Sequence, residues 1–166
     1  MPGSQSWDAA LPRIATWGRF RDRRTGVTFT HLNMHFDHVG ETARQESARL
    51  LVAWAAEQDS DEPVLVTGDF NATDDSEVYR LLTEGTALQD ARLVSATLSA
   101  GMAARWNAFG RTTPERRIDF VFVQGPVAVQ AFATGDQTIG AVLETDNARL
   151  PSDHFAVAAT VRVGRP

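Results

Sequence analysis

The sequence predicts an α/β fold, a compact sandwich of strands and helices in mixed order and not a regular β-α-β array. Short runs rich in β-branched and aromatic residues recur along the chain. Two stretches of helical periodicity lie between them, and the densest polar clusters sit at the edges of the apolar runs. With 166 residues, 43% of them hydrophobic and 22% charged, the chain holds one domain's worth of core-forming material.

Residues 1–12 are rich in Gly, Ser and Pro and read as an irregular lead-in. Arg13 to Phe20 is β-like, with Ile14, Thr16, Trp17 and Phe20 among charged residues. Asp22 to Gly26 (DRRTG) carries turn residues. Val27 to Met34 (VTFTHLNM) alternates and reads as the second strand of an antiparallel hairpin. Residues 41–58 read as a helix whose inward stripe is Ala43, Ser47, Leu50, Leu51 and Trp54. Gln58 to Pro63 is a polar break before the apolar strand Val64 to Thr67. Residues 76–84 form a second helix, with Asp74 and Asp75 placed to cap it, Val78, Leu81 and Leu82 inward, and Gly85 to stop it. Ala91 to Arg116 is loop-rich. Ile118 to Val123 (IDFVFV), Val127 to Phe132 and His154 to Val163 read as the remaining strands.

The net charge of −5 argues against a protein that grips a long nucleic acid nonspecifically by its phosphates, which usually needs a basic surface. It leaves room for a small phosphorylated substrate held by local arginines. With no cysteine there is no disulfide and no thiolate metal site, and with four histidines a zinc cluster is unattractive. No apolar run reaches membrane-span length, and residues 1–11 lack the basic-then-apolar pattern of a signal peptide. The default expectation is a soluble, cytoplasmic protein, unless a signal peptide lies upstream. The oligomeric state cannot be read from the residues.

Polar clusters mark the chemistry. They are Asn33-Met34-His35-Phe36-Asp37-His38, Gly68-Asp69-Phe70-Asn71, Asp119 within IDFVFV, and Ser152-Asp153-His154. Each has an ordinary structural explanation. Asp69 and Asn71 are turn formers, Asp119 suits an edge strand, Asp153 and His154 can cap an element, and His35 can be a core histidine. Together they are more specific. Carboxylates and a carboxamide offer the oxygen ligands that Mg²⁺ or Mn²⁺ prefers, and histidines donate to phosphate oxygens or carry protons near neutral pH. A carboxylate against a histidine fixes the tautomer of the ring. Arg105, Arg111, Arg116 and Arg117 flank the loop before IDFVFV, either as ligands for a further phosphate or as a solvated surface. Trp106 and Phe109 in that loop could stack on a base or fill the core.

The stretches NMHFDHVGETAR (33–44), PVLVTGDFNAT (63–73), RRIDFVFV (116–123) and PSDHFAV (151–157) resemble, in this order, the motifs of the endonuclease/exonuclease/phosphatase superfamily, whose fold is that of pancreatic deoxyribonuclease. Met34 stands where the family places a small polar residue, and Phe120 where it places Tyr. The resemblance implies a four-layer α/β sandwich with mixed, mainly antiparallel sheets and outer helices. It implies hydrolysis of a phosphoester by water activated with Mg²⁺ or Mn²⁺, on a small phosphodiester, a phosphorylated lipid or inositol, or nucleic acid.

Carried over to this chain, His35, Asn71 and His154 would contact the substrate phosphate. Asp69 would orient or deprotonate the attacking water, Asp153, Asp69 and Asn71 would hold the metal, and Asp119 would orient His154. Whether Asp69 or His154 is the base stays open. The family pattern also begins with a strand carrying an Asn and a strand ending in a metal-binding Glu, and neither is recognisable before Trp7. The chain is therefore expected to be the C-terminal portion of such a domain, weak in metal binding by itself and prone to associate. A noncatalytic module that keeps the fold is the alternative.

Overall fold

The computed structural model describes residues 5–101, 106, 116–135 and 152–164. Strands β1 (Ala15–Arg21), β2 (Thr28–His35), β3 (Val64–Asp69), β4 (Gln89–Asp90) and β5 (Asp119–Gln124) form a five-stranded sheet in the order β1-β2-β3-β5-β4. All neighbours are antiparallel except β2 and β3, which are parallel and joined through helix α1 (Glu41–Ala56). A second helix, α2 (Glu77–Thr83), follows β3. Strands β6 (Val127–Thr134) and β7 (Val157–Val163) pair antiparallel as a second sheet, with a register shift between Val129 and Ala131. This is the mixed α/β architecture that the residue pattern predicts.

Period-two alternation divides the five-stranded sheet into two faces. Leu32, Met34, Val64, Val66, Phe120 and Phe122 turn toward α1 and α2 and build the larger core cluster. Leu65, Val121 and Val123 turn the other way and pack with Val129 and Phe132 of β6 and with β7. Met34 is thus a core residue of the helix face, 6% exposed. A methionine at this motif position costs the reaction face nothing.

Three phenylalanines each follow a residue of the polar clusters: Phe36 after His35, Phe70 after Asp69 and Phe120 after Asp119. Their rings meet on the helix side, with Phe70 edge-on to Phe36 at 5.0 Å and to Phe120 at 5.6 Å between centroids. Alternation therefore turns one row of residues into a polar rim on one face and an aromatic floor on the other. Phe70 is 1% exposed. Phe70→Ala is expected to cost about 3–5 kcal/mol of stability, measured by urea unfolding.

Several expectations need correction. The buried residues of α1 are Ala43, Ala48, Leu51 and Ala55, whereas Leu50 is 62% exposed. The helix turns the Ala48–Leu51–Ala55 stripe to the sheet. Leu50 instead lines a groove of about 490 Å³ with Trp7, Leu11, Ile14 and Trp17, whereas Trp54, which also borders that groove, packs against the core as the stripe predicts. Helix α2 is capped by Ser76, whose hydroxyl accepts from the Tyr79 N–H, because Asp74 and Asp75 are drawn to Arg117 and Arg116. The last strand begins at Val157 and not at His154, which forms only an isolated bridge with Trp106.

Residues 5–12 of the lead-in form no helix or strand, but they are tied down. Gly40, at the N-cap of α1, has no side chain to offer, and the Asp8 carboxylate accepts from Thr42 N–H at 3.1 Å and Ala43 N–H at 2.7 Å instead. In the hairpin turn, Asp22 accepts from the Arg24 and Thr25 N–H groups, and Gly26 takes a φ of 76°.

Candidate active site

His35 is the last residue of β2, Asp69 the last of β3 and Asp119 the first of β5. The registers pair His35 with Asp69 and Asp69 with Asp119, so the three stand in one row across adjacent strands. Gly68 makes this row possible. A Cβ there would lie 2.1 Å from the Met34 carbonyl oxygen, so only glycine lets β3 run this close to β2 just before Asp69.

The segment that leads into β7 supplies the fourth member. His154 Nδ1 is 2.8 Å from Asp119 Oδ2, and its Nε2 is 3.7 Å from Asp69 Oδ2. His35 Nε2 approaches the same Asp69 oxygen at 3.3 Å. Asp69 is therefore bracketed by two imidazoles. The His35 side chain is 54% exposed, while those of Asp69, Asp119 and His154 are 13%, 17% and 23% exposed. This is a rim open to a substrate on one side and enclosed on the other.

Burial alone would push the His154 ring toward the neutral form. The Asp119 hydrogen bond and charge, and then the charges of Asp69 and Asp153, outweigh it and hold the pKa above the ordinary histidine value. Asn71 takes a left-handed φ of 47°, which asparagine tolerates better than most residues. Its backbone N–H donates to Asp69 Oδ1 at 2.8 Å and its side chain donates to the Phe36 carbonyl at 3.0 Å. Asn71 thus ties the β3 exit to the residue after His35.

Ligand atoms of Asp69, Asp119 and His154 lie within 4.8 Å of one another. Two carboxylates and one imidazole at this spacing suit a divalent cation that favours oxygen donors. Asp153 lies beside His154 and acts on it by charge, but it is outside that group of three.

The arginines expected near the site are placed differently. Arg117 is 2% exposed and bound to Asp74 and Asp90, so it is not available to a substrate phosphate. Arg116 is exposed and paired with Asp75. Arg105, Arg111 and Phe109 lie outside the described residues. Trp106 is 47% exposed and bridges to His154 through the backbone, so it does not fill the core.

Two features were not anticipated from sequence. Asp37 is 1% exposed and accepts from four backbone N–H groups, those of Ala10, Leu11, Val39 and Gly40. Behind the rim, Tyr79 donates to Asp90 at 2.8 Å, and its pKa is pushed up to about 12 by burial and then by the Asp90 charge and hydrogen bond. The presence of Asp37 inside the His motif was the available signal. Nothing local marks Asp90 or Tyr79.

Comparisons with known proteins bear on the fold and the family. The model of the endonuclease/exonuclease/phosphatase family matches residues 5–154. A solved endonuclease/exonuclease/phosphatase from Bacteroides vulgatus is 37% identical, with a TM-score of 0.83, covering 97% of this chain and 59% of that one. A mannosyl-6-phosphatase from Bacteroides thetaiotaomicron is 30% identical, with a TM-score of 0.82, covering 96% of this chain and 60% of that one. TDP2 of D. rerio, solved with a single-strand DNA product, shares the fold at 18% identity and a TM-score of 0.71, covering 93% of this chain and 64% of that one. No functionally curated protein matches the sequence. The chain spans about three-fifths of the length of the two Bacteroides relatives. With the family model matching across the motif-bearing length, this chain belongs to the endonuclease/exonuclease/phosphatase family.

Proposed function

We propose that the chain carries the reaction rim of a Mg²⁺- or Mn²⁺-dependent phosphoester hydrolase. The observation that supports this most is the convergence of Asp69, Asp119 and His154 on one point beside His35. Asp69 orients the attacking water and takes its proton. His154, whose pKa is raised, holds a proton on Nδ1 against Asp119 and points Nε2 toward the phosphate side of Asp69. With Nδ1 held by Asp119, Nε2 is the ring atom left to stabilise charge on the phosphoryl oxygens, and we assign the base role to Asp69. His35, the most exposed of the four, contacts the phosphate from the open side.

Asp69 and Asn71, with Asp153, are the proposed holders of the cation; of the group of three, Asp119 and His154 are paired with each other and serve the phosphate instead. When bound, the cation supplies Lewis acidity and lowers the pKa of water. A small phosphodiester or a sugar or inositol phosphate fits the acidic balance of the chain better than duplex DNA does. The relative that is a mannosyl-6-phosphatase favours the small-substrate side.

Hydrolysis of bis-p-nitrophenyl phosphate by the 166-residue chain tests this. The expected result is turnover that needs Mn²⁺ or Mg²⁺, disappears with EDTA, and falls about tenfold or more in Asp153→Ala. Equal rates with and without EDTA would overturn the reading. No hydrolysis at saturating metal would favour a noncatalytic module.

A further inference from the structure

Asp69 and Asp119 are the terminal pair of the β3–β5 ladder, with side chains on the same face. Like charges directly opposite each other destabilise a strand pair, and these must also stay close enough to share a partner. Something has to hold the two strand ends together from behind. Arg117, two residues before Asp119, is placed to do so.

The Arg117 side chain is 2% exposed. Its Nε donates to Asp74 Oδ2 at 3.0 Å, and its Nη1 donates to Asp90 Oδ1 at 3.2 Å. Nη2 also bonds Asp90, completing a two-pronged contact. The guanidinium carbon lies 4.4 Å from the centre of the Phe120 ring, on the residue after Asp119. Asp74 lies three residues after Asn71, on the loop that leaves β3. Between these ion pairs and the rim, the Phe70 N–H donates to the Ile118 carbonyl at 2.8 Å. The Arg117–Asp74 pair therefore crosses between the same two segments, 69–74 and 117–119, whose carboxylates repel at the rim. A buried pair of this kind adds little net stability over an apolar one, but it specifies geometry and is costly to break.

We infer that Arg117, with Asp74, is a positioning residue: it sets Asp119 against His154 by clamping the β3 exit loop to the start of β5. The inference rests on the proposed function, in which the Asp119–His154 pair orients the ring. Arg117 touches no substrate and acts through Asp119. Its burial shows why this arginine is spent on the fold while Arg116 beside it stays at the surface.

The ¹⁵N shifts of the His154 ring test the clamp without requiring turnover. At alkaline pH, where the ring is neutral, the wild type is expected to show the tautomer with its proton on Nδ1, fixed by Asp119. Asp119→Ala should release the ring to the mixture of tautomers found in free histidine. Asp74→Asn, which removes one charge and is mild enough to fold, should move the shifts part of the way, and Arg117→Lys further. Asp75→Asn, which loses only the exposed Arg116 pair, should leave them at the wild-type values.

In the hydrolysis assay, Asp74→Asn should lower kcat about tenfold with KM nearly unchanged. Wild-type ring shifts in both Asp74→Asn and Arg117→Lys, with Asp119→Ala displaced, would overturn the clamp and leave the proposed site standing. Unchanged shifts in Asp119→Ala would show that the Asp119–His154 pair does not form, and would overturn both.

Discussion

Asp119→Asn is expected to lower metal-dependent phosphodiester turnover by about a hundredfold or more, while Mn²⁺ affinity changes by no more than a few fold. Asp119 Oδ2 is committed to His154 Nδ1 at 2.8 Å, so the variant loses ring orientation before it loses a cation ligand. The pH dependence carries the sign of the effect. Burial lowers the His154 pKa, and the Asp119 hydrogen bond and charge, followed by Asp69 and Asp153, raise it above 6.5 overall.

Replacing Asp119 by Asn deletes its charge and weakens its hydrogen bond, the two largest raising influences. If the protonated ring is the working form, the wild-type rate falls as pH rises through the raised value, and the variant's alkaline limb moves to lower pH. Linkage gives the same direction for stability. The contribution of this ring is fully present below the ordinary histidine pKa and is lost as pH rises through the folded one. Measured kcat against pH, with Mn²⁺ titrated calorimetrically, checks both parts. A loss confined to metal affinity would reassign Asp119 as a ligand.

Asp37→Ala is expected to destabilise the chain by about 3–5 kcal/mol, because it leaves the buried Gly40 N–H and three part-buried N–H groups without their acceptor. Those groups belong to Ala10, Leu11, Val39 and Gly40, so one carboxylate holds the lead-in, the loop after His35 and the entry to α1 together. The Gly40 N–H bond lowers the Asp37 pKa most, burial opposes it, and the Val39, Ala10 and Leu11 N–H bonds add to the lowering; the carboxyl ends well below the usual range. A depressed pKa contributes stability that is present above the unfolded value, about 4, and is lost as pH falls through the folded one. Urea midpoints should therefore decline below pH ~4 in the wild type and decline less steeply in Asp37→Asn. A midpoint unchanged in Asp37→Ala would show that the lead-in does not depend on this carboxylate.

Both helices and the described strands other than the two-residue β4 could be read from residue types, to within two or three residues at most ends. What failed was the choice among neighbours that local pattern cannot rank. Leu50 and Leu51 are adjacent and equally apolar, and only the angle at which α1 lies on the sheet buries Leu51 and leaves Leu50 62% exposed. Asp74 and Asp75 looked like caps for α2 because they precede it. They are instead taken by arginines about forty residues further along the chain. Arg117 looked like a surface cation because charged residues are rarely buried unless paired, and its partners are distant in sequence.

By itself the sequence determined the alternation that puts His35, Asp69 and Asp119 on one face and Phe36, Phe70 and Phe120 on the other. Side-chain direction in a strand follows from local backbone geometry and needs no knowledge of the fold. The tertiary structure alone decided that the three strand ends stand in register, that His154, on the segment leading into β7, meets Asp119, and that Arg117 and Asp37 are buried. Each of these is a pairing between segments far apart in the chain, and such pairings are fixed by the packing of whole sheets and not by the residues beside them.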